Sequence, residues 1–268
     1  MQITDKVFVV TGGGNGMGRE VALQLLQRGA RVAAVDLNEA GLTETAELAK
    51  AGDRLSIHPL NVSDRKAVLA LPDAVIKAHG QVDGLFNVAG IIQPFVKINE
   101  LDFDVIERVM NVNFWGVVNM SKSFLPHLLA RPESGLLNVS SMGGFLPVPG
   151  QAAYGASKAA VKLFTEALFA ETQGTPLKVT VIFPGGVGTN ITANSGVDTS
   201  KLEAAAAGAK ERKVTTPQDA GRQIIDAMEK GSYRATIGSD ARFMDRFSRI
   251  SPRRATLLIA TQMKALLG

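Results

Sequence analysis

The sequence predicts an α/β protein with one parallel sheet that is doubly wound, so that helices cover both of its faces. Short apolar runs alternate with longer amphipathic runs from the first residues onward, which is typical of repeated strand–helix–strand units. The short runs are almost continuously apolar, as in strands that are buried on both faces. No internal repeat or low-complexity linker interrupts this order, so we expect a single domain over residues 1–268.

The predicted elements follow one another along the chain as strand, helix and strand. The apolar runs that predict strands are VFVV at 7–10, VAAV at 32–35, LF at 85–86, LLNV at 136–139 and VTVIF at 179–183. A further strand is expected near 235–238, where the alternation resumes. The stretches between them are long enough for helices and carry amphipathic spacing. We expect helices at 16–28, 42–50, 64–79, 103–129, 154–171 and 218–230.

Two parts of the C-terminal third depart from this alternation. Regular elements lapse between Gly185 and Val214, directly after a predicted strand, where an insertion in an α/β protein can cover the substrate. We therefore expect a substrate lid at about 185–213. A tail at 240–268 is too apolar to remain in solvent, and we expect it to dock as a helix. Its large apolar residues are Phe243, Phe247, Ile250, Leu257, Leu258 and Ile259.

Composition excludes several functional classes. The chain has no cysteine, which rules out disulfides, thiolate metal sites and a cysteine nucleophile. The three histidines lie far apart in the sequence, and no metal site is expected. The net charge of +4 includes no run of five like charges, so nucleic acid is not an expected partner. No apolar run approaches the ~20 residues of a membrane span and the N-terminus does not resemble a signal peptide, so we expect a cytoplasmic location.

A glycine-rich turn joins the first predicted strand to the first predicted helix. It reads TGGGNGMG at 11–18. A phosphate-binding turn needs glycine where the backbone bends sharply and where a side chain would block a pyrophosphate, and the start of a helix attracts phosphate. The position of this turn therefore predicts a Rossmann-type dinucleotide site. The residues expected to contact the cofactor there are Gly12, Gly14, Asn15, Gly16, Met17 and Gly18.

An acidic residue at the end of the second predicted strand indicates which dinucleotide binds. Asp36 follows Gly18 by eighteen residues, close to the ~20 expected for such a site. Its carboxylate can accept hydrogen bonds from the adenosine ribose hydroxyls and would repel the additional phosphate of NADP. Leu37 is not basic and offers no charge for that phosphate. We therefore expect NAD as the cofactor, with Asp36 and Leu37 at the adenosine ribose.

Tyr154 and Lys158 form the pair with the clearest chemistry. They are spaced i, i+4 on one predicted helix, so their side chains share a face. A tyrosine is normally too weak an acid to exchange protons readily near neutral pH. A lysine ammonium group nearby, together with a positively charged nicotinamide, would favour the phenolate and make the proton transfer easier.

Six motifs in order make the chain resemble the short-chain dehydrogenase/reductase family, from Lys6 to about Gly238. They are the TGxxxGxG turn, NVAG at 87–90, NVNFWG at 111–116, Ser141 thirteen residues before Tyr154, YGASK at 154–158 and PGGVGT at 184–189. The epimerase-like branches carry a different glycine turn and a larger C-terminal domain. The resemblance is therefore to the short oxidoreductases, and it implies an alcohol dehydrogenase or carbonyl reductase.

This resemblance also implies residue roles. Tyr154 would be the general acid/base on the substrate oxygen, and Ser141 would hydrogen-bond that oxygen. Lys158 would bind the nicotinamide ribose and favour the ionised form of Tyr154, while Asn113 would hold a water that links Lys158 to solvent. Ser140 is a rival to Ser141, but the spacing to Tyr154 favours Ser141. Further cofactor contacts are expected from Asn61, Val62, Asn87, Ala89, Gly90, Pro184, Gly185, Val187 and Thr189.

Two positions depart from the family's motifs. Asn61 stands where aspartate is common, and its amide can still accept a hydrogen bond from the adenine amino group, though without charge. Val88 replaces an asparagine that usually ties the central strands together, so another residue must satisfy the backbone groups there. Neither position belongs to the expected reacting atoms.

The sequence thus predicts an NAD(H)-dependent oxidoreductase that interconverts a secondary alcohol and a ketone. A 3-oxoacyl thioester reductase has the same fold and motifs and remains an alternative, although such reductases generally prefer NADPH. A regulator that binds NAD without turning it over is a second alternative, which the intact catalytic residues disfavour.

The resemblance further suggests a homodimer or homotetramer, with the helices after Asp102 and Gln151 pairing across a two-fold axis. Apolar residues beside the catalytic motifs suggest an apolar substrate pocket; they are Phe95, Met142, Phe145, Val148 and Ile191.

Overall fold

Seven parallel strands form one sheet at the centre of the protein. The computed structural model describes residues 1–197 and 214–263, and its strands lie in the order β3-β2-β1-β4-β5-β6-β7. Neighbouring strands are parallel throughout, which confirms the predicted doubly wound sheet. The strands are β1 Val7–Thr11, β2 Arg31–Asp36, β3 Leu55–Pro59, β4 Gly84–Asn87, β5 Ser134–Val139, β6 Leu177–Pro184 and β7 Arg234–Ile237.

Helices connect the strands and cover the sheet. The first three begin directly after a polar residue whose side chain accepts a hydrogen bond from a backbone N–H of the first turn: Asn15, Asn38 and Asp64. Such caps satisfy N–H groups that have no partner within the helix, and so they fix where each helix starts. The described helices are α1 Gly16–Gln27, α2 Glu39–Ala49, α3 Arg65–His79, α4 Phe103–Met110, α5 Gly116–Leu129, α6 Ala152–Glu171, α7 Ile191–Asn194, α8 Pro217–Glu229, α9 Ser239–Ile250 and α10 Pro252–Gln262.

Alternate residues of the inner strands belong to two hydrophobic clusters. In β1, Phe8 and Val10 belong to one cluster, whereas Val7 and Val9 belong to the other. Successive side chains of a strand point to opposite faces of a sheet, so a strand covered on both faces needs apolar residues at every position. This requirement accounts for the continuous apolar runs that predicted the strands.

The sequence prediction omitted strand β3. It lies at the end of the strand order, where it pairs with β2 in register from Leu55 opposite Val32 to Pro59 opposite Asp36. Its first four residues are only half-buried and Pro59 is exposed, because an edge strand is packed less completely than an inner one. The segment therefore lacks the apolar run that marks the inner strands, and its pairing with β2 identifies it.

The single helix predicted at 103–129 contains a π-turn. Helix α4 ends at Met110, the π-turn spans Asn111–Trp115, and α5 begins at Gly116. The N–H of Gly116 bonds to the carbonyl of Asn111, five residues earlier, so this turn contains one more residue than an α-helical turn. Asn113 lies within it, fully buried. Apolar periodicity over a long helix does not reveal one wider turn.

The C-terminal tail forms two helices, and only part of its apolar surface is buried. Met244 of α9 and Ala255 and Ile259 of α10 form a third hydrophobic cluster with Leu146 from the segment after β5. Phe247 packs against the same cluster, as expected. Three other large apolar residues of the tail are more than half exposed, and Leu258 is 36% exposed; the three are Phe243, Ile250 and Leu257.

The segment expected to form the lid is described in part. After β6 the chain continues through Gly185 and Gly186, and Val187 then pairs with Thr215 in an isolated β-bridge. The short helix α7 follows. Residues 198–213, including the apolar run at 202–207, lie outside the described residues. Within the part of the chain that the structure describes, no helix is both long and apolar enough to cross a membrane.

Candidate active site

The expected cofactor and catalytic residues meet at the carboxyl ends of the central strands. The sheet order places β1 beside β4, with β2 and β3 on one side and β5 to β7 on the other. The chain reverses its direction of winding between β1 and β4, and this is where doubly wound proteins bind ligands. The glycine turn follows β1, NVAG continues from β4, Ser141 follows β5, and PGGVGT leaves β6.

The glycine turn has a shape that larger residues would prevent. Gly12 adopts a φ of +74°, and a Cβ there would lie 3.1 Å from the Ala89 backbone. A Cβ at Gly18 would overlap the carbonyl oxygen of Gly12, so this glycine permits close packing of α1 on the turn. Asn15 caps α1. The turn thus leaves a backbone-lined cradle at a helix start, which fits a pyrophosphate.

The turn after β6 faces this cradle. Gly16 has a φ of +53°, and a Cβ there would approach the methyl group of Thr189 to 3.3 Å. The predicted contacts Gly16 and Thr189, separated by more than 170 positions in sequence, are thus neighbours. Pro184 is buried at the end of β6, Gly185 donates its N–H to the Ile237 carbonyl at 2.9 Å, and Val187 packs against the hydrophobic core. The residues present therefore fit a dinucleotide held between the two turns.

Asp36 is anchored at the end of β2. One carboxylate oxygen accepts a hydrogen bond from the Gly14 N–H at 2.9 Å, and the other accepts one from the Asn38 N–H at 2.9 Å. A carboxylate has more acceptor positions than these two bonds use, so Asp36 can still receive ribose hydroxyls. Leu37 is 71% exposed and therefore stands open beside the carboxylate.

The residues expected near the adenine and the central strands differ in their availability. The Asn61 side-chain oxygen accepts bonds from both the N–H and the hydroxyl of Ser63, at 3.0 and 2.7 Å. This oxygen is therefore already engaged, which leaves the amide NH2 of Asn61 for a ligand. Val62 is buried beneath Gly116, where a Cβ would contact its side chain. The Asn87 side chain is buried as well and donates to Asn138 at 2.8 Å.

Thr11 satisfies the backbone groups near Val88 that an asparagine at position 88 was expected to satisfy. The Thr11 hydroxyl oxygen accepts hydrogen bonds from the backbone N–H groups of Val88 at 3.0 Å and Ala89 at 3.1 Å. These are the groups that the missing asparagine was expected to leave unsatisfied. Sequence reasoning did not assign this role to Thr11, although its place at the end of β1, beside β4, was a signal.

Lys158 and Asn113 both lie beside Gly90, and Lys158 also lies near Tyr154. Lys158 is 3% exposed, its Nζ donates to the Val139 carbonyl at 3.0 Å, and it lies 6.0 Å from the centroid of the Tyr154 ring. A Cβ at Gly90 would lie 3.0 Å from this Nζ and 3.2 Å from the Asn113 side-chain oxygen. Glycine at position 90 therefore lets the lysine and the asparagine approach the same point of the backbone.

The two adjacent serines have different surroundings. Ser140 is buried, and its hydroxyl donates to the Lys158 carbonyl at 2.7 Å. Ser141 is half-buried, and its oxygen accepts a hydrogen bond from the Gly143 N–H at 3.0 Å. Because Ser141 retains its own O–H for a further partner, the geometry agrees with choosing Ser141 over Ser140.

Burial shifts the pKa values of both members of the tyrosine–lysine pair. It raises the pKa of Tyr154 above its ordinary value, and a hydrogen bond with Ser141 opposes this rise. It lowers the pKa of Lys158 to about 8. Without a cofactor, the phenol is therefore a weaker acid than in water, and the lysine loses its proton more readily. Additional positive charge beside the phenol is needed to favour its ionised form near neutral pH.

Apolar side chains line the segment after β5. Phe145 packs edge-on against Phe183, with ring centroids 5.4 Å apart. Met142, Phe145 and Val148 also contact the cluster formed by the C-terminal helices. The tail thus contacts residues next to Ser141.

Two of the histidines share one partner away from this segment. His58 and His79 both contact Ser56, whose hydroxyl lies 2.8 Å from the Nε2 atom of each.

Comparison with known proteins defines the class. A family model described as short chain dehydrogenase matches residues 6–200. A Mycobacterium tuberculosis protein named as a candidate oxidoreductase, SadH, is 39% identical over 250 residues, which are 91% of this chain and 90% of that protein. The chain therefore belongs to the short-chain dehydrogenase/reductase family. It is an oxidoreductase of that family with a nicotinamide cofactor, as the sequence predicted.

Other relatives differ in the substrates that their names state. The 3beta-hydroxysteroid dehydrogenase 2 of Eggerthella lenta is 36% identical over 191 residues, covering 70% of this chain and 74% of that protein. The 3-oxoacyl-acyl-carrier-protein reductase FabG of Thermotoga maritima is 32% identical over 195 residues, covering 72% and 78%. A solved short-chain dehydrogenase/reductase from Burkholderia phymatum in complex with NAD has a TM-score of 0.83 at 25% identity, covering 93% of this chain and 96% of that chain.

Proposed function

We propose that the protein is an NAD(H)-dependent oxidoreductase that interconverts an apolar secondary alcohol and the corresponding ketone. The observation that carries this proposal is the pairing of Tyr154 with buried Lys158, one helical turn apart and next to Ser141. A protein that only binds a dinucleotide gains nothing from burying a lysine behind a tyrosine. This argues against the alternative of a non-catalytic regulator.

The proposed reaction assigns two tasks to Lys158 and one each to Ser141, Tyr154 and Asn113. Ser141 donates a hydrogen bond to the substrate oxygen, and ionised Tyr154 accepts the hydroxyl proton of the alcohol. Lys158 stabilises the ionised phenol and binds the nicotinamide ribose, and Asn113 holds the water that returns the proton to solvent. A nicotinamide held at this site would supply the acceptor for the hydride of the carbinol carbon. Ketone reduction uses the same groups in reverse, with Tyr154 as the acid.

The preference for NAD over NADP is proposed from Asp36 and Leu37. The carboxylate of Asp36 is held beside the glycine turn by Gly14, where an additional phosphate would face its negative charge. No basic side chain is available at position 37 to offset that repulsion. The NAD-bound Burkholderia relative supports this assignment.

Exchanging both residues tests the cofactor preference. In the variant Asp36→Ala with Leu37→Arg, we expect the affinity for NAD to fall about 10- to 100-fold, because hydrogen bonds to a charged group are lost. NADP should bind better than in the wild type, since a guanidinium replaces a carboxylate. Asp36→Asn is the matched control, as it removes the charge but retains an acceptor for Gly14. Dissociation constants for both cofactors give the result, and a wild type that already prefers NADP would overturn the proposal.

The substrate class is proposed from the apolar surroundings of the site. Met142, Phe145 and Val148 lie between Ser141 and the C-terminal helices, and an apolar substrate would gain by burial there. The hydroxysteroid dehydrogenase from Eggerthella lenta supports a secondary alcohol. The reductase from Thermotoga maritima supports the alternative of a 3-oxoacyl thioester, which Asp36 disfavours because such reductases generally prefer NADPH.

A substrate screen separates these candidates. Secondary alcohols of increasing apolar size with NAD, and ketones and 3-oxoacyl thioesters with NADH or NADPH, would be followed by nicotinamide absorbance. We expect the highest kcat/KM with bulky apolar alcohols and NAD. Faster turnover of a 3-oxoacyl thioester with NADPH would select the alternative, and no turnover of any compound would select the regulator.

Lid, tail and assembly complete the proposal. Asp240, in the first turn of α9, accepts a hydrogen bond from the Gly186 N–H at 2.7 Å, so the tail holds the base of the segment proposed as a lid. Exposed Phe243, Ile250 and Leu257 offer apolar surface for contact with a second subunit. We propose a homodimer or homotetramer with a single domain per subunit, and light scattering of the intact chain tests it against a monomer.

A further inference from the structure

The helix that carries Tyr154 has an unusual start. Helix α6 begins at Ala152, and Gln151 occupies the N-cap position without making a side-chain cap bond. The Gln151 amide instead donates to the backbone carbonyl of Gln93 at 2.9 Å. The first backbone N–H groups of a helix have no partner within it, and that of Tyr154, the third residue of α6, is among them. A residue from elsewhere must therefore satisfy it.

Gln93 supplies this cap from a distant part of the chain. Its side-chain oxygen accepts a hydrogen bond from the Tyr154 N–H at 3.0 Å, and its NH2 group donates to the Gly150 carbonyl at 2.9 Å. Gln93 is 0% exposed. The buried amide of Gln93 thus joins Gly150, two residues before the helix, to the backbone of Tyr154, which lies 61 positions from Gln93 in sequence.

The segment that carries Gln93 is itself fixed on both sides. Asn113, in the π-turn, accepts a bond from the Ile91 N–H at 2.8 Å and donates to the Ile91 carbonyl at 2.9 Å. The Ser195 hydroxyl oxygen, just after α7, accepts a bond from the Ile92 N–H at 3.0 Å. Residues 91–93 therefore connect the π-turn and the base of the proposed lid to the start of α6.

The first turn of a helix is where its backbone is least constrained, yet proton transfer requires Tyr154 to meet Ser141 and the substrate within hydrogen-bond distance. A displacement of about 1 Å in such a geometry can reduce a rate ~10²-fold. We propose that Gln93 is a positioning residue, whose amide closes the first turn of α6 and so holds Tyr154 in place for proton transfer. This inference rests on the proposed function of Tyr154.

Gln93→Met tests the inference, because methionine has a similar length and no hydrogen-bonding amide. We expect kcat to fall about 10- to 100-fold, while the dissociation constant for NAD stays within about twofold and KM changes little. Gln93→Asn keeps the amide on a shorter stem and should move kcat in the same direction if the methionine variant does not fold. Thr165→Val is the matched control: it removes a buried polar group from the same helix, beyond Lys158, and should leave kcat unchanged.

Gln93→Glu provides a rescue with a specific pH signature. A protonated carboxyl group can accept from Tyr154 and donate to Gly150, as the amide does, whereas a carboxylate cannot donate. The ratio of its kcat to that of the wild type should therefore rise as the pH is lowered. A role limited to stability would not produce this change.

Hydrogen exchange of the backbone gives a readout that does not depend on turnover. In the protein without ligand, Gln93→Met should accelerate exchange in a peptide covering residues 152–158, and Thr165→Val should not. Unchanged exchange would overturn the cap, and faster exchange with unchanged kcat would overturn the positioning role. Failure of the proposed function would give a different result. In that case Tyr154→Phe would retain wild-type turnover, whether or not the Gln93 variants lose activity.

Discussion

Replacement of Tyr154 by Phe should reduce turnover by at least the ~10²–10⁴-fold that general acid/base catalysis contributes. Phenylalanine preserves the ring that lies 6.0 Å from the Lys158 Nζ but has no group that can exchange a proton with the substrate oxygen. Binding of NAD should be nearly unchanged, because the glycine turn, Asp36 and Lys158 remain. Steady-state kinetics and a fluorescence titration with NADH measure the two quantities separately.

The chain offers a matched control for this experiment. It contains only two tyrosines, and the second, Tyr233, is 41% exposed and packs on the ring of Phe169 with centroids 4.4 Å apart. Tyr233→Phe should keep normal turnover. In that variant Tyr154 is the sole phenol, so an absorbance titration reports its pKa directly, and we expect that pKa to fall when NAD+ is bound. Ordinary turnover by Tyr154→Phe would refute the assigned mechanism.

Replacement of Lys158 by Met should abolish turnover and make the protein more stable near pH 7. Burial lowers the pKa of Lys158 from 10.5 to about 8, so the folded protein holds an ammonium group at neutral pH at an energetic cost. The difference between these two pKa values corresponds to about 3 kcal/mol. Loss of the hydrogen bond to Val139 offsets about 1 kcal/mol, so the free energy of unfolding should rise by about 1–2 kcal/mol.

The pH dependence gives this prediction its sign. Between pH 8 and 10.5 the unfolded chain binds the Lys158 proton and the folded protein does not, so wild-type stability increases with pH across that window. The advantage of Lys158→Met should therefore be constant below pH 8 and vanish between pH 8 and 10.5. By about pH 10.5 only the lost hydrogen bond to Val139 remains, and the variant should be about 1 kcal/mol less stable than the wild type. Lys162→Met, one turn further along the helix and paired with Glu166, is the control and should show no advantage. A Lys158→Met protein that is less stable than wild type at pH 7 would contradict the argument.

An increase in stability would mean that Lys158 lowers the free energy of unfolding while it is required for turnover. Lys158 is 3% exposed, and the described hydrogen bond of its Nζ is to the backbone carbonyl of Val139, with no carboxylate paired to it among the described residues. Residues that improve stability when replaced, yet are required for turnover, are expected at catalytic sites. The two predictions together test separately the proton transfer proposed for Tyr154 and the electrostatic role proposed for Lys158.

Local patterns were sufficient for much of this protein. Continuous apolar runs predicted five of the strands, since burial on both faces imposes such runs. Glycine at positions 12 and 16 suits positive φ angles that other residues rarely adopt, and glycine at position 18 leaves room for the Gly12 carbonyl. The i, i+4 spacing of Tyr154 and Lys158 placed them on one face of a helix. The amino-acid sequence was therefore enough to predict the fold class, the family and the candidate site residues, because each short motif depends on residues close together in the chain.

The contacts that hold the site together could be identified only from the three-dimensional structure. The edge strand β3 is recognised by its pairing with β2, Thr11 by the backbone groups of Val88 and Ala89, and Gln93 by the helix start it caps. Each of these contacts joins segments far apart in sequence. Sequence periodicity also did not predict which faces of the tail helices are exposed, as Phe243 and Ile250 are. Short-range periodicity shows which residues are buried, but a polar side chain's partner depends on which distant segments the sheet order brings beside it.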